Sequence, residues 1–219
     1  MDMIFFALKH DWPFILPILL CSLLALGVAI ERWIYFRSNR RDIVSFVEKL
    51  ENAVDQRSLR DAAVLSNETG GLLGQVTHAG VHTLAERASN FDRNFDITSS
   101  LALRKLERNL STLGTIATIS PYLGLFGTVV RILLTFGDMA QTSGSSASAP
   151  QIMFGIGSAL IATAGGLGVA ILAVTVHNYF HTQIARWEDD LQIVKLVLLS
   201  FIDRSPAPQQ QAARRPAQI

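Results

Sequence analysis

Three runs of apolar positions dominate the chain, at 13–30, 110–136 and 152–180. A helix needs roughly 20 apolar residues to cross a bilayer, and the second and third runs reach that length while carrying Ser120, Thr128, Ser158 and Thr163 in their middles. The pattern predicts transmembrane helices over 12–30, 110–136 and 152–180, the last two facing something wetter than lipid. The first run is longer than the roughly 7–15 residues of a signal-peptide core, so it reads as a span and not as a cleaved leader.

Between and after these runs the spacing stays helical. Apolar residues recur at Ile43, Phe46, Val47, Leu50 and Val54, and again at Leu101, Leu103, Leu106 and Leu110. Ser66-Asn67-Glu68-Thr69-Gly70-Gly71 reads as a turn, since glycine and asparagine accept positive φ and short polar side chains compete for backbone partners. Together these predict a helical hairpin within 31–109, continuous with the membrane helices. Ile184, Trp187, Leu191, Val194 and Leu198 extend the third run as a helix over 181–204, and 205–219, rich in Pro and Gln, reads as a disordered tail. The fold class is therefore an all-α membrane protein whose three transmembrane helices extend into long cytoplasmic helices. A short segment, 1–11, and a loop, 137–151, lie on the opposite side.

Charge sets the sidedness. Lys and Arg total 19 against 18 Asp and Glu, so the balance itself says little, but the basic residues crowd into 31–109 and the segment after 180. The loop 137–151 has none, and Lys9 stands alone before the first span. Positive charge marks the cytoplasmic side, which places the N-terminus in the periplasm and the C-terminus in the cytoplasm. The single cysteine, Cys21, excludes an intrachain disulfide or a thiolate cluster. His78, His82 and His181 have no metal-ligand spacing around them, so no metal or cofactor is expected, and no phosphate-binding loop is present.

Small and polar residues form two stripes at steps of three or four. One is Gly114, Ala117, Pro121, Gly124, Thr128, Arg131 and Thr135; the other is Gly155, Ala159, Ala162, Gly166, Ala170 and Ala173. Such stripes let helix backbones pack closely, and with Gly127 they mark Pro121, Gly124, Gly155, Ala159 and Gly166 as packing positions. The threonines have two readings: they bond back to carbonyls of their own helices, or Thr128 and Thr163 line a hydrated pore built from several copies, one chain being too thin to enclose it. Arg131 is costly at membrane depth; it either snorkels to the outer headgroups near Asp138 or acts as a periplasmic gate.

The strings I-S-P-Y-L-G-L-F-G-T-V-V-R-I-L-L-T-F (119–136) and G-I-G-S-A-L-I-A-T-A-G-G-L-G-V-A-I (155–171) resemble the two signature helices of the MotA/TolQ/ExbB proton-channel family. L-T-F-G-D-M (134–139) and the lack of a fourth span resemble the ExbB branch, with TolQ the close rival. The resemblance implies an inner-membrane homopentamer around the helices of an ExbD-like partner whose transmembrane aspartate carries protons, delivering work to a TonB-like protein. It also implies that Thr128 and Thr163 face that aspartate, and that Glu107 lies near the cytoplasmic mouth of the pore. An intrahelical pair of Glu107 with Arg104 or Arg108 is the plainer alternative. Ser158 stands where many TolQ-like members have glutamate, so any relay there passes through water. Arg131 stands where many have glycine, and Leu172 replaces a usual proline, which leaves the third helix free of that kink.

Other classes fit less well. A serine protease pairing Ser158 with His177 fails on distance, since helical rise separates them by about 28 Å and a nucleophile and its base must come within about 3 Å; the chain does not read as an enzyme. A non-conducting membrane scaffold, using the seams for assembly alone, stays open on physical grounds.

Overall fold

The computed structural model describes residues 12–39, 42–86, 90–141 and 149–203, and among them all regular structure is helical. The seven helices are α1 (Trp12–Ser38), α2 (Ile43–Asp55), α3 (Leu59–Thr69), α4 (Gly71–Ala85), α5 (Phe91–Glu107), α6 (Leu110–Gln141) and α7 (Ala149–Asp203). Segment 1–11 and the tail 205–219 lie outside the described residues. Three of the helices are long and apolar enough to cross a membrane. The chain divides into two compact units: the first holds α1 up to Tyr35, α6 and α7 up to Thr182, and the second holds α2 to α5 and the remainder of α7.

In the first unit α1 exposes Leu16, Leu19, Leu20, Leu23 and Leu24 and buries Ile18, the pattern of a helix solvated by acyl chains on most sides. It does not stop at residue 30 but runs to Ser38, with Arg37 in its last turn, where a cation complements the helix dipole. Of the expected loop 137–151, residues 137–141 and 149–151 are helical and 142–148 lie outside the described residues. α7 is a single 55-residue helix. Leu172 lies within it, 68% exposed, and the backbone keeps the hydrogen bond that proline would remove.

The second unit holds four separate helices in place of the expected single hairpin. Asp42 caps α2, accepting from the Val44 amide at 3.2 Å, and Ser58 caps α3 through the Asp61 amide at 3.2 Å. Arg57 (φ 54°) reverses the chain between them, its amide donating to the Val54 carbonyl at 2.9 Å, the helix-ending geometry that a left-handed residue permits. The expected turn at 66–71 shrinks to Gly70 and Gly71, with φ 58° and 61°. Ser66 and Thr69 stay helical, their hydroxyls bonding back to the carbonyls of Ala63 and Leu65 at 2.7 and 2.8 Å and so not competing for the amides of a turn. Gly74 then lies against the backbone carbonyl of Ser66, where no Cβ would fit.

The core of this unit contains Phe46, Leu50, Leu73, Val76, Phe95 and Leu106 with Leu191, Val194 and Leu198 of α7. The last three belong to the face expected of α7. The face expected of α5 is rotated: Leu101 is exposed, and Phe91, Phe95, Ser99, Ala102 and Leu106 are buried. Phenylalanines a turn apart supply more apolar area than the leucines first grouped with Leu106, and they set the helix rotation. Nor does α5 continue into α6, because Asn109 adopts φ 61° and breaks the helix.

Lys195 ties α7 to α5. Its ammonium lies 2.8 Å from Asp96 Oδ1 and 3.3 Å from Asp92 Oδ1, with its own side chain 14% exposed and the carboxylates 52% and 68%. The hydrogen bond to Asp96 raises its pKa above the ordinary 10.5. The stabilisation is therefore complete below that value and disappears as pH climbs through the raised one. Because the carboxylates are wet, Lys195→Met is expected to lower thermal stability by about 0.5–1 kcal/mol. In thermal melts followed by circular dichroism, that deficit should be unchanged between pH 6 and 9 and shrink at about 1 M salt.

Candidate functional site: a hydroxyl-bearing seam between two spans

α6 and α7 meet along the two small-residue stripes. A Cβ on Gly166 would lie 2.5 Å from the Ser120 carbonyl oxygen and 3.0 Å from Gly124 Cα; one on Gly124 would lie 3.0 Å from Thr163 Cα. The backbones touch there because neither glycine has a side chain. Gly155 makes the same accommodation for the Thr135 side chain. Ala159, Ala162, Ala170 and Ala173 are buried along the α7 face, and Gly127 is buried on α6. Pro121, half-buried inside α6, has no amide hydrogen to give the Ala117 carbonyl, which loosens the helix one turn from the closest approach.

The two threonines behave differently. Thr128, 9% exposed, donates to the Leu125 carbonyl of its own helix at 2.7 Å. Thr163, half-buried, donates across the seam to the Gly124 carbonyl at 3.0 Å. Back-bonding thus accounts for Thr128 and not for Thr163. Each hydroxyl keeps lone pairs for a further donor. Ser120, fully buried, has an Oγ with no hydrogen-bond partner among the described residues.

At one end of the seam Arg131 donates from Nε to Ser158 Oγ at 3.2 Å, and Ser158, 3% exposed, donates to the Gly155 carbonyl at 3.0 Å. Beside the snorkelling and gating readings of Arg131, the structure adds a hydroxyl partner for its Nε on the neighbouring helix, 27 positions along the chain. Arg131 lies on the α6 stripe, and Ser158 is the neighbour of the stripe residue Ala159 on α7.

At the other end Asn109 donates from Nδ2 to Glu31 Oε2 at 2.9 Å, Glu31 pairs with Arg32 at 2.7 Å, and His177 Nδ1 lies 3.1 Å from the Leu110 carbonyl. The His177 ring covers Gly114, with Cε1 3.4 Å from where a Cβ would lie. The sequence offers His177 only as the base of the rejected protease pair with Ser158, although it follows Ala173 by four residues and continues the α7 stripe. Glu107, the last residue of α5, is exposed and makes no ion pair with Arg104 or Arg108 among the described residues. No cluster of three or more His, Cys, Asp or Glu suited to a metal ion is found among the described residues.

Gly166→Ala is expected to push α6 and α7 apart and cost about 1–3 kcal/mol, read as a lower melting midpoint of detergent-solubilised protein. Ser120→Ala, which removes a hydroxyl without a partner, should change stability by less than about 0.5 kcal/mol or raise it.

The sequence profile of the MotA/TolQ/ExbB proton channel family matches residues 69–193, which include the whole contact between α6 and α7 described above. The biopolymer transport protein ExbB-like 1 of Synechocystis sp. is 34% identical over 163 residues, 73% of this chain and 63% of that protein. Biopolymer transport protein ExbB of Pseudomonas putida is 33% identical over 160 residues, 67% of this chain and 47% of its own length. The chain thus spans under two thirds of the first relative and about half of the second. Tol-Pal system protein TolQ of Haemophilus influenzae is 29% identical over 182 residues, 77% of this chain and 78% of its own.

Proposed function

Since the chain belongs to the MotA/TolQ/ExbB proton channel family, we propose that it is an inner-membrane proton-channel subunit that converts the proton motive force into work on a TonB-like protein for outer-membrane uptake. The observation that carries this reading is the set of hydroxyls Thr128, Ser158 and Thr163 on two otherwise apolar spans, with Thr163 bonded across the seam to Gly124 and Ser158 to Arg131. Lipid solvation gives no reason to hold them there, whereas a hydrated path needs groups that both accept and donate hydrogen bonds.

One chain offers half a wall. Five copies around an ExbD-like partner would bring the Thr128 and Thr163 faces to a transmembrane aspartate, which takes up and releases the proton. Each charge crossing 100 mV supplies about 2.3 kcal/mol, enough to bias a two-state packing of the partner's helices. The N-terminus is periplasmic and the C-terminus cytoplasmic, an assignment supported by the absence of Lys and Arg from 137–151 and their abundance in 31–109. Arg131, anchored on Ser158, acts as the periplasmic gate, its charge meeting the partner's acid; Glu107 sits at the cytoplasmic mouth.

A TolQ-like role in envelope integrity is the second reading, favoured by identity to TolQ of Haemophilus influenzae over 78% of that protein. Co-purification separates the two: an ExbD-like and TonB-like pair supports the first, a Tol-type partner the second.

In vesicles containing the complex, the Thr128→Val, Thr163→Val double variant should lower proton flux by about 100-fold with assembly intact, and flux equal to the unaltered complex would leave a scaffold as the better account. Arg131→Gly should alter the voltage dependence of flux; an unchanged dependence removes the gate from the mechanism.

A further inference from the structure

We propose that His177 and His181 form the cytoplasmic proton exit of this channel, His177 accepting the proton at Nε2 and His181 passing it to bulk water. The inference rests on the channel reading and names the group that ends its path.

The chemistry follows from one contact. His177 Nδ1 lies 3.1 Å from the Leu110 carbonyl, and a carbonyl oxygen can only accept, so in the neutral ring the hydrogen is on Nδ1 and the free lone pair is on Nε2. A base oriented by a fixed acceptor behind it is the arrangement used wherever imidazole transfers protons. The ring edge lies over Gly114, where the position of a Cβ would be 3.4 Å from Cε1 and 3.8 Å from Nε2, ordinary van der Waals contact. His181 is one turn further along α7, its ring centroid 6.1 Å from that of His177, and it is exposed. A bridging water would carry the proton across that separation: the proton received at Nε2 leaves from Nε2 to that water, and neither ring changes its net state over a cycle.

Position along the seam agrees. Past Thr163 no residue of α7 before His177 is ionisable. On the α6 stripe no ionisable residue lies between Thr128 and Leu110, Tyr122 being 66% exposed on another face. The charged groups around this end are Glu31 and Arg32 on α1, Glu107 and Arg108 where α5 ends, and His181 on α7 itself; α6 brings the Leu110 carbonyl and Gly114, which carry no charge. Glu107 is an exposed carboxylate off the seam, whereas His177 lies on it.

The test measures proton flux in liposomes holding the complex with its acidic partner and a pH-sensitive dye. His177→Asn, whose side-chain amide can still donate to Leu110, should cut flux at least about tenfold, and free imidazole on the cytoplasmic face should restore part of it, which a packing defect would not allow. His181→Asn alters an exposed ring, leaves packing intact, and should slow flux by about threefold. Flux within about twofold of the unaltered complex in His177→Asn, a loss that imidazole leaves untouched, or no change in His181→Asn overturns the exit. An unaltered complex that passes no protons, or one indifferent to Thr128→Val with Thr163→Val, overturns the channel reading itself and the exit with it.

Discussion

The crossing of α6 and α7 is governed by the absence of two methyl groups. Where Gly124 meets Thr163 and Gly166 meets Ser120, the backbones approach so closely that any Cβ would strike main-chain atoms, and main chain cannot move aside as a side chain can. In lipid the hydrophobic effect gives two apolar helices no reason to adhere, so close van der Waals packing and interhelical hydrogen bonds must do so. The bonds that cross the seam follow from that contact.

Thr163 is the clearest consequence. At ordinary helix separation its hydroxyl would turn back to its own carbonyl, as those of Thr175 and Thr182 do at 2.8 and 2.9 Å. Beside Gly124 a foreign carbonyl comes within 3.0 Å, and the bond crosses the seam. The same proximity lets Arg131 reach Ser158 and lets the His177 ring cover Gly114. A guanidinium, two hydroxyls and an imidazole are thus strung along a contact whose remaining surface is alanine and glycine.

The second unit answers to different forces. Its helices are short, and the starts of α2, α3 and α4 have identifiable causes: a capping carboxylate at Asp42, a capping hydroxyl at Ser58, and left-handed residues at Arg57, Gly70 and Gly71. Its core is aromatic and aliphatic, closed over α7 by Leu191, Val194 and Leu198, with Lys195 holding the wet edge against Asp92 and Asp96.

The sequence by itself determined the three spans, their helical character, the two stripes, and the family strings that lie on them, because bilayer thickness and helical period are fixed lengths that a one-dimensional pattern can be measured against. It also located the buried face of α7 through Val194 and Leu198. Which partner each polar side chain chose was beyond it: Arg131 on Ser158, Thr163 on Gly124 and His177 on Leu110 join residues 27, 39 and 67 positions apart. So were the rotation of α5 and the break at Asn109. Such choices depend on the distance and register between two helices, quantities set by how their small residues interlock in three dimensions, and no periodicity within one segment encodes the position of another.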